Sequence, residues 1–319
     1  MRRFGKGFAL LLLSIVCVAT SVLPVGSVVS AASDRDVLYI RSAEDLIAFS
    51  EAVNGGDDFK DRLVIQAEDI DLNNVPFTPI GIFGSGNYFF GVYDGGGHTL
   101  SNLVINCKEG KKNNGLFAQL GGMVMNLGIE SGEISGACCG SFASHAAASS
   151  ACVINCYSKA KVKASRGGGI VDNFIGSVIN CWYDNPESVL PVCGYTANSI
   201  IHCYTNGEVC KESFKGYQDK CYSTKGIAFD QAFCNEMNNY LGRIYYHIDL
   251  SEEYSLSKYI CEADGNLRFG EESVKKPGVF SKAFIVVNFN FILFGAVAVC
   301  AVGGIVLFII FNRKRVVRV

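Results

Sequence analysis

A short phrase returns six times between Asn102 and Tyr222, and it constrains this chain more than any other feature. The copies are Asn102-Leu103, Asn126-Leu127, Asn155-Cys156-Tyr157, Asn180-Cys181-Trp182, His202-Cys203-Tyr204 and Lys220-Cys221-Tyr222. Counted on the first position of each, the steps are 24, 29, 25, 22 and 18 residues. The phase is fixed by a longer match, because Gly115 to Leu127 aligns without gaps on Gly169 to Cys181. Units of this size cannot bury an apolar face alone and must stack on their neighbours, so the repeat predicts a solenoid.

The two ends carry different signals. Arg2, Arg3 and Lys6 precede an apolar run from Phe8 to about Val18, and small residues around Ala31 and Ala32 follow. That order predicts a secretory signal peptide over 1–32. At the other end the uninterrupted apolar run Phe291 to Phe311, within an expected transmembrane helix over 283–312, would span roughly 30 Å. The basic tail 313–319 holds Arg313, Lys314, Arg315 and Arg318 and so belongs on the cytoplasmic side. The expectation is a single-span cell-membrane protein with an extracellular ectodomain over 33–270, a linker over 271–282 and a cytoplasmic C-terminus. A net charge of −2 and the lack of a basic stripe argue against nucleic acid as a partner.

Of 14 cysteines, Cys17 lies in the leader and Cys300 in the span, which leaves 12 in the ectodomain. Cys156, Cys181, Cys203 and Cys221 share one position of the repeat, where stacking predicts buried free thiols acting as small apolar fillers. No Cys-x-x-Cys pair is matched by a second, so neither a metal site nor a cofactor is predicted.

Upstream of the repeats, Ser42-Ala-Glu-Asp45 before Leu46, Phe49 and Val53 predicts a capped helix over 42–53 that plugs the first coil. Val92-Tyr-Asp94, Gly95-Gly-Gly97 and His98-Thr-Leu100 predict strand, glycine turn and strand, with repeats running over about 98–222. Further on, Phe229, Phe233, Met237 and Tyr240 share one face of a closing helix over 229–242 that Gly242 would end. The stretch Ala137 to Ala151 predicts an overlong coil with a bulge or a protruding loop.

Together these motifs resemble bacterial surface proteins with GLUG-type repeats, relatives in fold of the pectin-lyase superfamily. The residues that carry the likeness are the capped helix, Asp69-Ile-Asp71-Leu72, the sentence from Phe90 to Leu103, Gly115-Leu-Phe117 and the repeated Ile-Asn-Cys-Tyr, over about residues 35 to 270. The resemblance implies a mainly β right-handed parallel β-helix with N- and C-terminal capping helices, and repeats that are structural rather than catalytic.

Strand alternation gives side-chain direction. With Ile154 and Cys156 inward, Asn155 and Tyr157 point outward, and an outer aromatic ladder of Tyr157, Trp182, Tyr204 and Tyr222 follows as a platform for stacking sugar rings. The expected function is a membrane-anchored, non-catalytic cell-surface module that binds an envelope glycan or a protein partner. The competing expectation is a polysaccharide-active enzyme, lyase or glycoside hydrolase, with Asp172 and Asp184 as its carboxylates and Arg166 near them in sequence. No acid pair recurs at coil spacing, as that chemistry would need.

Overall fold

The computed structural model describes residues 36–106, 113–207, 217–223, 228–278 and 281. The expected leader, transmembrane segment and basic tail lie outside these residues. No helix among the described residues is long and apolar enough to cross a membrane.

The protein is mainly β. Short strands pair in parallel with their equivalents one turn earlier and one turn later, which builds a solenoid of about five turns. One ladder runs through Val37–Ile40, Leu63–Gln66, Val92–Asp94, Met123–Met125, Cys152–Ile154 and the later part of Val171–Ile179. A second runs through Ile70–Asp71, Thr99–Ser101, Gly128–Ile129, Tyr157–Ser158 and Trp182–Tyr183. A third joins Leu103–Asn106, Gly132–Cys139 and Lys161–Gly167.

The recurring asparagine makes the corner between the first two ladders. Asn126, Asn155, Asn180 and His202 all adopt left-handed backbone, with φ of 53°, 51°, 55° and 54°; Asn102, also left-handed at 55°, turns the next corner, between Thr99–Ser101 and Leu103–Asn106, so it is not a copy of the same position. Most residues resist this conformation by roughly 1–2 kcal/mol, whereas asparagine tolerates it. Its amide then repays the bend: Asn126 Nδ2 donates to Asp94 at 2.9 Å, Asn155 Nδ2 to Asn126 Oδ1 at 2.9 Å and Asn180 Nδ2 to Asn155 Oδ1 at 2.9 Å.

This bend corrects the expected inward partner. A left-handed residue resets alternation, so the two residues flanking it do not share a face. Val153 and Cys156 point into the core, while Ile154 joins Met125 and Ile179 in an outer apolar cluster. Asn155 is itself fully buried. The sequence Gly95-Gly96-Gly97 turns the preceding coil, and a Cβ at Gly95 would sit 2.5 Å from the Asn126 carbonyl oxygen, so that corner requires glycine.

Helix α1 (Ala43–Asn54) forms where expected, with the Ser42 hydroxyl accepting from Asp45 N–H as N-cap. Its Leu46, Phe49 and Val53 enter the core, where Phe49 meets the rings of Phe59, Phe89 and Tyr93. Helix α2 runs Gln231–His247, through Gly242 rather than stopping there, because Leu241, Ile244 and Tyr245 beyond Tyr240 are still being buried. It does not close the end of the solenoid. It lies on the flank, across Met125, Ile154 and Ile179 of successive coils. An antiparallel hairpin of Leu256–Cys261 and Leu267–Val274 lies beside it. Glu271 to Val274, expected as linker, complete that hairpin.

The stretch Ala137 to Ala151 is not a protruding loop. Cys139, Phe142, Ala143 and Ala146 are buried core. The small residues reflect close coil approach: a Cβ at Gly140 would lie 2.5 Å from Val171 Cα. The Ser141 hydroxyl donates to Gly169 O and accepts from Ser158 Oγ at 2.8 Å, which satisfies it inside.

Candidate functional site

The aromatic ladder exists, but it is not an open platform. Tyr157 stacks on Trp182 with ring centroids 4.6 Å apart, and Tyr204 stacks on Tyr222 at 4.9 Å. Register places all four in line. Tyr157, Trp182 and Tyr204 are nevertheless buried, and Tyr222 is half-buried. The C-terminal cover lies over them, with Phe269 on Tyr157, Phe229 on Trp182 and Phe233 edge-on to Tyr204. The Tyr157 hydroxyl donates to Glu130, which also pairs with Lys159 at 2.6 Å. Burial and the Glu130 charge push the Tyr157 hydroxyl far up in pKa. The ladder is therefore a buried interface between solenoid and cover, which corrects its reading as a sugar-facing surface.

A different constellation is open to solvent. On the strand Cys193–Thr205 the register slips: Val171 faces Cys193 and Asn173 faces Thr196, so Gly194 and Tyr195 together oppose Asp172. Such a bulge leaves one residue out of the ladder and re-aims it. Gly194 makes room for the acid, since a Cβ there would stand 2.5 Å from Asp172 Oδ1. Tyr195 turns outward, 49% exposed, under the guanidinium of Arg166 at 4.5 Å.

Arg166 is locked from behind. Its Nε and Nη2 donate to the Asp172 carboxylate at 3.2 and 3.1 Å, and the carboxylate is fully buried while the arginine side chain stays 40% exposed. Burial raises the Asp172 pKa against the opposing pull of Arg166, and the hydrogen bond to Asp172 raises that of Arg166. The neighbouring Asn173 amide lies 3.3 Å from His145 Nδ1, and His145 meets the exposed Phe83 ring edge-on at 5.5 Å. Burial lowers the His145 pKa, with the Asp172 charge opposing. Cys138 stands in register with Arg166, and burial raises its thiol pKa.

Tyr195 with Arg166 forms one group of contacts and Asn173, His145 and Phe83 another, joined through the chain step from Asp172, which holds Arg166, to Asn173, with an exposed aromatic ring at each end. Flat rings, a guanidinium and an amide are groups that bind; they do not assemble a hydrolytic pair. Asp172 is too deep to touch a substrate and acts by holding Arg166. Asp184 lies past Trp182–Tyr183, where burial raises its pKa and Lys159 opposes the rise. The two carboxylates answer to different neighbours, Asp172 to Arg166 and Asp184 to Lys159. Among the described residues, no three His, Cys, Asp or Glu side chains converge as a metal site would require.

Sequence reasoning singled out Arg166 and Asp172 but missed Tyr195, Asn173, His145 and Phe83. The available signal was Gly194 beside an aromatic inside a strand, a pattern that marks bulges. Elsewhere, a concavity of about 440 Å³ lies between Phe90, Gly121, Gly122 and the Ile248–Ser251 segment.

No known family's profile matches the sequence, and no curated protein matches it. Among solved structures, one from Bacteroides ovatus described as a candidate immunoglobulin A1 protease superposes over 73% of this chain and 92% of that chain. The identity is 11% and the TM-score 0.42.

Proposed function

We propose that this chain is a membrane-anchored, non-catalytic module of a bacterial cell surface, a right-handed parallel β-helix of the GLUG-repeat kind. It binds an envelope glycan or an envelope protein through the line from Tyr195 to Phe83. The observation that carries this reading is Arg166, whose inner edge is neutralised by a buried carboxylate while its outer side stays open beside an exposed ring. Such a group is oriented before a ligand arrives, which lowers the cost of ordering it on binding. The leader and the apolar C-terminal run support the anchored topology, and a short connection to the span would hold the module near the bilayer.

The test is a glycan library and an envelope extract screened against the full-length chain, with detection of released sugars. Binding should weaken about tenfold or more in Tyr195→Ala and Arg166→Gln, since truncating an interface anchor commonly costs more than 1 kcal/mol. Release of reducing or unsaturated sugars would overturn the non-catalytic reading. Labelling of intact cells with a membrane-impermeant reagent tests the topology, and an unlabelled solenoid would sink it.

A further inference from the structure

The asparagine corner has a direction, and that direction sets the charge of a buried histidine. Asp94 accepts from Asn126 Nδ2 at 2.9 Å and from Gly96 N–H at 3.0 Å. On its other side, Asn126 Oδ1 accepts the Ser257 N–H at 2.9 Å. A backbone N–H only donates, so the amide of Asn126 can point only one way. Asn155 must then donate to Asn126 Oδ1, as it does at 2.9 Å while also donating to Ser257 O, and Asn180 must donate to Asn155 Oδ1. The polarity passes along the rungs to Asn180, whose Oδ1 is left as an acceptor.

The next rung is His202, in the same left-handed corner at φ 54°. Its Nδ1 lies 2.7 Å from Asn180 Oδ1 and its Nε2 lies 3.2 Å from a carboxylate oxygen of Glu236 in α2. Both ring nitrogens face acceptors, and a neutral imidazole has only one N–H. His202 meets both only as imidazolium. The side chain is 3% exposed and stacks on the Tyr240 ring at 4.0 Å with planes 3° apart, an arrangement that favours a cation.

We propose that His202 is a proton-operated latch that fastens α2 over the aromatic stack. Among the described residues, its polar and ring neighbours come from three elements. From α2 come Glu236 and Tyr240, with Arg243 5.5 Å from the Tyr240 ring and His247 Nε2 2.8 Å from its hydroxyl. Its own strand supplies Tyr204, and the neighbouring strand Tyr217–Ser223 supplies Tyr222. Loss of either ring proton sets a lone pair against Asn180 Oδ1 or the Glu236 carboxylate. The stability contributed by the latch is complete while the ring holds both protons, and it is lost as pH rises through the ring's titration. Helix α2 also places Phe233 on Tyr204, so release uncovers that end of the stack.

The experiment uses the full-length chain at about pH 5.5 and about pH 8, on either side of ordinary histidine titration. Nitrogen NMR should find both His202 ring nitrogens protonated at the lower pH. Proteolytic cleavage within α2 should be about tenfold faster at the higher pH, the loss of one charged hydrogen bond. His202→Asn continues the corner with a residue that tolerates it and still donates to Asn180, and it should make cleavage independent of pH; Glu236→Gln should reduce the pH ratio. A singly protonated ring at the lower pH, or an unchanged pH ratio in His202→Asn, would overturn the proposal. If His202→Asn does not fold, the ring protonation of the wild-type chain decides.

Discussion

The ring of Tyr157 lies flat on the indole of Trp182, 4.6 Å between centroids and 2° from parallel, and both are sealed beneath the C-terminal cover. A residue in that place acts on stability before anything else. Trp182→Ala should cost about 3–5 kcal/mol by removing a fully packed aromatic. Chemical denaturation of the purified chain measures this. A change below about 0.5 kcal/mol, the scale of an ordinary surface substitution, would mean that the cover does not seal the stack in solution.

Asn155 performs two tasks, a left-handed bend and two donated hydrogen bonds. Asn155→Gly retains the bend and loses the bonds, while Asn155→Ala loses both. The alanine variant should be less stable than the glycine variant by about 1–2 kcal/mol, the left-handed penalty. Equal stabilities would refute the corner as drawn.

Arg166 faces a buried carboxylate whose pKa burial already raises. In Arg166→Met the opposing charge is gone, so Asp172 binds its proton more readily in the folded chain than in the unfolded one. The folded state then holds the extra proton between the unfolded value, near 3.8, and the higher folded one, so stability falls as pH rises through that window. At neutral pH the loss should be about 1–3 kcal/mol, less than for a fully buried pair because the arginine is partly exposed. Melting curves from pH 4 to 7 test the sign; a deficit that shrinks toward neutrality would contradict it.

Cys156, Cys181 and Cys203 are buried free thiols in the core, and burial raises the pKa of Cys181 and Cys203 far above the ordinary range. Cys152, pushed up to about 11, is also poorly ionised at neutral pH. Thiolate is the reactive form, so Cys152, Cys181 and Cys203 should resist alkylation in the native chain and react on unfolding, and Cys156 should be shielded by its burial alone. Mass spectrometry of trapped adducts would show this, and rapid native labelling of Cys181 would contradict the packing.

The solenoid and its corner were legible in the sequence because both are local and repeated. Asn126, Asn155, Asn180 and His202, spaced 29, 25 and 22 residues apart, mark a backbone bend that few residues accept, and the coil length follows from the spacing, whereas Asn102 falls one corner later, opposite Ser131. The same applies to α1, whose Ser42 cap and apolar face lie within a dozen residues. Side-chain direction past the corner was not legible by alternation alone, since the left-handed residue resets the count and sends Ile154 outward with Tyr157. The fate of the aromatic ladder was decided further away still. Phe229, Phe233, Tyr259 and Phe269 fold back over it from later in the chain, because their own apolar faces had to be buried somewhere. The open line from Tyr195 to Phe83 likewise depends on a bulge that pairs two residues against Asp172, a matter of register between strands about twenty residues apart. Local backbone preference wrote the architecture; which surface stays wet was settled only when distant segments competed to cover it.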